Sequence, residues 1–188
     1  SWNYKEPDFG RYNLLKEYGA IGLTRVLRDD NTDITIGSKT EKGNILMGIH
    51  TKEFGEIAKL SGEVNDRHWF HDLNALSQDP KGVIISSNLA QKYNLKTGDK
   101  IKYARYSPFD SKEPYKTVEG RICGVLDAFP SYESTGYSLK EEGGVEAKEQ
   151  YLLVANYADV VSEFGLTPYD VWVKLDVHAE ADKIREAL

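Results

Sequence analysis

The sequence holds a single cysteine and a single methionine in 188 residues. One thiol excludes an internal disulfide, and Cys123 stands in an alternating apolar stretch, where a small core residue is the ordinary role. No apolar run approaches the ~20 residues of a membrane span, and no secretory signal core is present. Positive charge is also short. Lys and Arg number 24 against 30 Asp and Glu, a net charge of −6, so the clustered basic footprint of a nucleic-acid binder is missing and no nucleic-acid partner is expected. Neither a phosphate-cradling glycine loop nor a nucleophile–base pair at a motif spacing occurs, and no cofactor is expected. The chain opens on Ser1 rather than Met, so an excised or processed segment is expected, with membrane helices among the possible lost flanks.

What is present is an ordinary globular composition, 40% apolar and 29% charged, with twelve tyrosines. The length suits one domain or two small ones. Its best-patterned stretch is 82–103. Val83, Ile84 and Ile85 read as a buried strand, Ser86 or Ser87 as the cap of a short helix, and Leu89, Ala90 and Tyr93 as that helix's apolar stripe. Gly98 lies in a tight turn that calls for a positive φ. Ile101 and Tyr103 then alternate with Lys100 and Lys102 as a second strand.

Before this unit, residues 11–18 read as a helix ended by Gly19, 21–27 as a strand, 28–43 as a loose hairpin, 44–50 as a strand and 51–61 as a helix. After it, 104–117 reads as a long exposed hairpin connection. Residues 118–126 read as a strand whose Gly120 and Gly124 suggest a bulge or the close approach of another backbone. Residues 127–150 form a long Ser-, Gly- and Glu-rich loop, either functional or disordered. The end is periodic again: strand 151–155, a helix capped by Asn156, strand 171–177 and a helix from 178, which together predict a right-handed βαβ unit.

One cluster has the residue types for chemistry. Asp66, His68, His71 and Asp72 fall close together, and His68 and His71 share a helical face at i, i+3, as metal ligands do. No third ligand stands at a fixed spacing, so they are weak metal candidates. A surface helix with Trp69, Leu73 and Leu76 inward explains the same residues. With Glu133 they define an enzyme alternative, metal-dependent or acid–base. The expected fold is mixed α/β (α+β): a split βαβ-type layer formed by 1–62 and 150–188, with 63–149 inserted as a β-rich lobe. Tyr106, Phe109, Phe129, Tyr132 and Tyr137 are the candidates for partner contact, against the plainer option that some of them cover the lobe's own core.

The segments DLNALSQDPKGVIISSNLAQKYNLKTGDKI (72–101), RICGVLDAFP (121–130) and VWVKLDVHAEADKIREAL (171–188) resemble the extracytoplasmic core domain of MacB/FtsX-like ABC transporter permeases. The resemblance covers about two thirds of the chain and carries no catalytic residue. It implies a domain between two membrane helices at the extracytoplasmic face, with a porter-like half split around a sabre-like insert. It further implies a cytoplasmic ABC ATPase, a second permease copy, and a peptide, lipid or lipoprotein substrate outside the membrane. The alternative is a small-molecule- or peptide-binding β-barrel module of the double-psi kind, in which the unit at 83–103 would occur twice; the sequence offers no evident second copy.

Overall fold

The structure is a computed structural model describing residues 9–61, 67–107, 110–140 and 143–187. Its centre is a ring of six strands. β1 (Ala20–Ile36) pairs with β2 (Lys39–Ile49), and β8 (Leu152–Asn156) lies between β2 and β3 (Gly82–Ser86). β3 then pairs with β5 (Asp110–Leu126), β5 with β4 (Lys100–Ser107), and β4 returns to β1. Two contacts are parallel, β2 with β8 and β3 with β5. The other four are antiparallel.

Side chains alternate across a strand, so each stave supplies two faces. The inward set is Leu27, Ile34, Leu46, Val83, Ile85, Ile101, Tyr103, Val118, Ile122, Leu153 and Ala155, all buried in one cluster. Leu89 and Ala90 of α3 (Ser87–Tyr93) and Tyr157 and Val160 of α4 (Tyr157–Phe164) join them. On the outer face of β2, β8 and β3, Ile45, Met47, Ile49, Ile84, Leu152 and Val154 meet Phe54 of α1 (Thr51–Ser61) and Trp69, Leu73 and Leu76 of α2 (Arg67–Gln78). These staves read as unbroken apolar runs because both faces are covered.

A third cluster forms where the ends of the described chain meet. The first half of β1 pairs with β9 (Asp170–Leu175), and Ala20 packs with Tyr12 and Leu15 of a 3-10 helix (Phe9–Tyr18) and Ile184 of α5 (Ala181–Ala187). The mixed α/β class is the one observed. The expected boundaries at 62 and 150, however, run through the barrel: β1, β2 and β8 come from the end segments and share one ring with β3, β4 and β5. Apolar residues on both faces of β2 and β8 give them two sets of neighbours, the barrel interior on one side and α1 and α2 on the other. The expected βαβ unit is also not a neighbouring pair, since β2 and β1 lie between β8 and β9.

A second strand–helix–strand run, β8–α4–β9, follows the same element order as β3–α3–β4, but its β9 pairs with β1 outside the ring. Both helices end on a residue with positive φ, Asn94 (φ 52°) and Gly165 (φ 82°), each followed by leucine. Their first residues work differently from expectation. Ser86 makes no side-chain cap; its hydroxyl accepts from Leu152 N–H at 3.0 Å, tying β3 to β8. Asn156 likewise leaves its helix uncapped and donates to the Leu76 and Asp79 carbonyls, each at 2.9 Å.

Gly98 takes the expected positive φ, 98°, with its N–H donating to the Ile122 carbonyl at 2.7 Å. A Cβ there meets nothing within 4 Å, so a side chain costs backbone strain alone. Gly98→Val is expected to lose about 1–3 kcal/mol, read as a lower melting midpoint; an unchanged midpoint would mean that the turn relaxes freely. At Gly120 and Gly124 the approaching groups are side chains rather than backbone: a Cβ would lie 2.7 Å from Val83 Cγ1 and 2.7 Å from Asp72 Cγ.

Candidate interaction surface

The stretch 127–150, read as a loop, is built. Leu126 ends β5, and Phe129 turns back into the outer core, 5% exposed. Ser131 then adopts a left-handed conformation, φ 59°, and its carbonyl accepts from Arg28 Nη1 at 2.6 Å. Beyond it β6 (Thr135–Leu139) and β7 (Val145–Glu149) form an antiparallel hairpin whose two strands make a sheet of their own. Gly143 and Gly144 supply the positive φ values of its turn. At the root, Tyr132 Oη donates to the Gln150 carbonyl at 2.9 Å, and Lys148 Nζ donates to the Lys42 carbonyl at 2.6 Å. A Cβ at Gly136 would fall 2.3 Å from the Gln150 side chain, which would have to swing aside to admit one.

Cross-strand partners share a face. Tyr137 opposes Ala147 and Leu139 opposes Val145, so these four form one apolar surface. Tyr137, Leu139 and Val145 are 73%, 84% and 64% exposed. Elsewhere exposed apolar residues are scattered, as on any protein surface.

The five aromatic candidates part company. Tyr137 is on this surface. Phe129 is not: it stacks on Phe54 at 5.2 Å and Trp69 at 6.2 Å, because an aromatic ring beside an apolar helix pair gains more by burial than by exposure. Tyr132 is half-buried at the hairpin root. Tyr106 is half-buried on β4 with its hydroxyl donating to Asp33 at 2.6 Å. Phe109 lies outside the described residues. Leu139 and Val145 were missed, although their alternation with polar neighbours on either side of Gly143–Gly144 was the available signal.

Of the histidine cluster, the described side chains are those of His71 and Asp72. His68 and His71 both fall on α2, and Asp66 lies outside the described residues. The His71 side chain is exposed, its Nδ1 3.9 Å from Asp72 Oδ1, while Asp72 turns toward Gly124. Glu133 is exposed at the hairpin root. Among the described residues no three metal-ligating side chains come together. Cys123 is half-buried, and burial, with the Asp79 and Asp72 charges, pushes its thiol up to about 11, away from reactivity. The barrel is likewise filled by its own side chains, which leaves the small-molecule barrel reading without an interior site. An open cleft of about 270 Å3 between α1 and α2 is lined by Thr51, Glu56, Phe70 and Ser77 among others.

No protein-family profile matches the sequence, and no curated protein matches it. Solved structures do. The periplasmic region of MacB from Actinobacillus actinomycetemcomitans superposes with a TM-score of 0.53 at 12% identity, over 98% of this chain and 72% of that one. The extracellular domain of the noncanonic ABC-type transporter YknZ from Gram-positive bacteria gives 0.53 at 17% identity, over 95% and 76%. A domain of a protein described as a permease, from Porphyromonas gingivalis, gives 0.50 at 16% identity, over 94% and 65%. At these identities the likeness is one of fold. The chain has the fold of the extracytoplasmic domains of ABC-type transporter permeases. No helix among the described residues is long and apolar enough to cross a membrane.

Proposed function

We propose that the chain is a non-catalytic extracytoplasmic domain of a MacB/FtsX-like permease. Held on two membrane helices, it passes ATP-driven motion to a substrate or partner outside the membrane. The observation that carries this reading is the fold shared, over at least 95% of the chain, with the periplasmic region of MacB and the extracellular domain of YknZ. A cytoplasmic ABC ATPase and a second permease copy are the partners this reading brings with it.

The architecture supplies a means of transmission. β1 runs 17 residues without a break in chain direction, its first half in the end layer with β9, its second half a stave of the barrel. Movement of the 3-10 helix or α5 therefore reaches the barrel through a hydrogen-bonded strand rather than a flexible linker. The hairpin, rooted on the barrel by Arg28, Tyr132 and Lys148, is the outward end of that lever. Replacing residues 136–148 by an Asn-Gly turn, in the full permease, tests it. The ATPase complex should still assemble and the domain should still fold, while transport falls by about tenfold or more, as for loss of an interface anchor. Undiminished transport would remove the hairpin from the mechanism.

A further inference from the structure

We infer that β9 is a dimerisation edge: two copies of the chain join by antiparallel β9–β9 pairing across a two-fold axis beside Trp172. β9 lies last in the sheet order, paired with β1 on one side, and no strand among the described residues covers its other side. Such an edge offers a row of unpaired N–H and C=O groups, which proteins ordinarily blunt with proline, bulges or charge. Residues 170–175 hold no proline, and their register against β1 is regular from Val26 to Gly22. The strand does hold two charges, and the chain itself uses neither. Asp170 is exposed and Lys174 half-buried, and among the described residues neither side chain makes a hydrogen bond or an ion pair.

Those two charges select both the partner and the register. Side chains opposed across an antiparallel ladder share a face, so a two-fold axis must pass beside a residue. Between two residues it would set the apolar face of one copy against the polar face of the other. With the axis beside Trp172, Val171 opposes the partner's Val173, and Asp170 opposes the partner's Lys174 on each side of the axis. Other axes lose this match. Beside Val173, Asp170 would oppose the partner's Asp176; beside Lys174, two ammonium groups would meet. Beside Val171, Pro168 would enter the ladder with no N–H to give. Trp172 is already held against Phe54, with 5.6 Å between ring centroids, so the residue at the axis is fixed before pairing. Residues 170–174 make a small interface, and two permease copies in one membrane would raise its occupancy by proximity. The inference rests on the reading above for that proximity alone.

The 188-residue chain should self-associate as its concentration is raised in sedimentation equilibrium. Asp170→Lys and Lys174→Asp should each weaken that association about tenfold or more, since each sets two like-charged pairs across the axis. Mixing the two variants should restore it, because every facing pair between them is again Lys against Asp. Neither side chain has a partner within the chain, so both variants should keep the parent melting midpoint. A covalent trap checks the register. In a Cys123→Ser background, Asp170→Cys with Lys174→Cys should give a disulfide-linked dimer under oxidised glutathione. The two positions lie about 5 Å apart between copies, Cα to Cα, but about 13 Å apart along one strand, beyond the reach of a disulfide. A parent that stays monomeric, single variants that associate like the parent, a mixture no better than its components, or no covalent dimer would each overturn the inference. Association indifferent to these charges but lost in the Leu139→Ser, Val145→Ser double variant would also overturn it, and would move the contact to the hairpin. Failure of the charge exchange leaves the transmission reading standing; transport that survives hairpin replacement removes that reading's lever and leaves the β9 pairing untouched.

Discussion

Phe54→Ala should lower the stability of the chain by about 3–5 kcal/mol, the range for truncating a fully buried phenylalanine. Phe54 is 2% exposed and sits at the junction of four pieces of structure. Its ring stacks on Phe129 at 5.2 Å with 7° between planes and meets Trp69 at 5.7 Å and Trp172 at 5.6 Å. It therefore joins α1 to α2, to β9 and to the segment leading into the hairpin. Rigid aromatic neighbours cannot collapse into the space left behind, so the cavity persists and the cost falls toward the upper end. A domain's whole stability is about 5–15 kcal/mol, so the loss is a large share of it. Urea unfolding is the measurement, with the midpoint falling and the slope unchanged. A loss below about 1 kcal/mol would mean that the ring cluster is not packed as described. The same substitution should loosen the hairpin root, because Phe129 leads directly into Ser131 and Tyr132.

That junction marks where sequence reading ran out. Strands such as Val83–Ile85 and Ile101–Tyr103 were legible because their pattern is local: period two, or a short apolar run between turn residues. Phe129 was not. An aromatic among Pro, Ser and Glu looks the same whether it faces solvent or a core, and what covers it, Phe54 and Trp69, is remote in the chain. Ser86 and Asn156 illustrate a second limit. Both stand where a cap belongs, yet their side chains bond to another element, a choice that depends on how β8 and α2 happen to lie. The barrel stood only as the alternative to a split layer with an inserted lobe, for a related reason. Closure is a matter of pairing between strands far apart in sequence, and β1 pairs with three partners along its length while the sequence of 20–36 shows only one interrupted strand. Gly98, by contrast, was readable, because its positive φ belongs to a turn four residues long. The hairpin lay between these cases: two five-residue strands around a glycine pair, too short to stand out from the glutamates around them.

Asn44→Leu should cost about 2–5 kcal/mol, although the two side chains have nearly the same shape. Asn44 is 1% exposed and holds three strands at one point. Its Nδ2 donates to the Glu41 carbonyl at 2.8 Å and, more weakly, to the Thr32 carbonyl at 3.4 Å. Its Oδ1 accepts from the Tyr151 N–H at 3.2 Å. Thr32 lies between two register shifts in β1, where the regular ladder to β2 breaks. Tyr151 immediately precedes β8, whose parallel pairing with β2 begins at Ile45 and Leu152. The amide thus satisfies backbone groups that the ladder leaves open, at the place where β8 enters the ring. Leucine fills the volume and strands a buried N–H and a buried carbonyl, each costing about 1–3 kcal/mol. Asn44→Asp separates hydrogen bonding from shape. An ionised carboxylate still accepts from Tyr151 but faces the Glu41 and Thr32 carbonyls with no proton to offer, so its pKa in the folded state should rise above the ~3.9 of an unfolded chain. The sign follows: the folded state binds the extra proton, so the variant is most stable below about pH 3.9 and loses stability as pH rises through the raised value. Thermal melts of the three proteins at pH 4 and pH 7 decide the matter. If Asn44→Leu melts with the parent, or Asn44→Asp shows no such dependence, the amide is a spectator and β8 is held in register by its apolar faces alone.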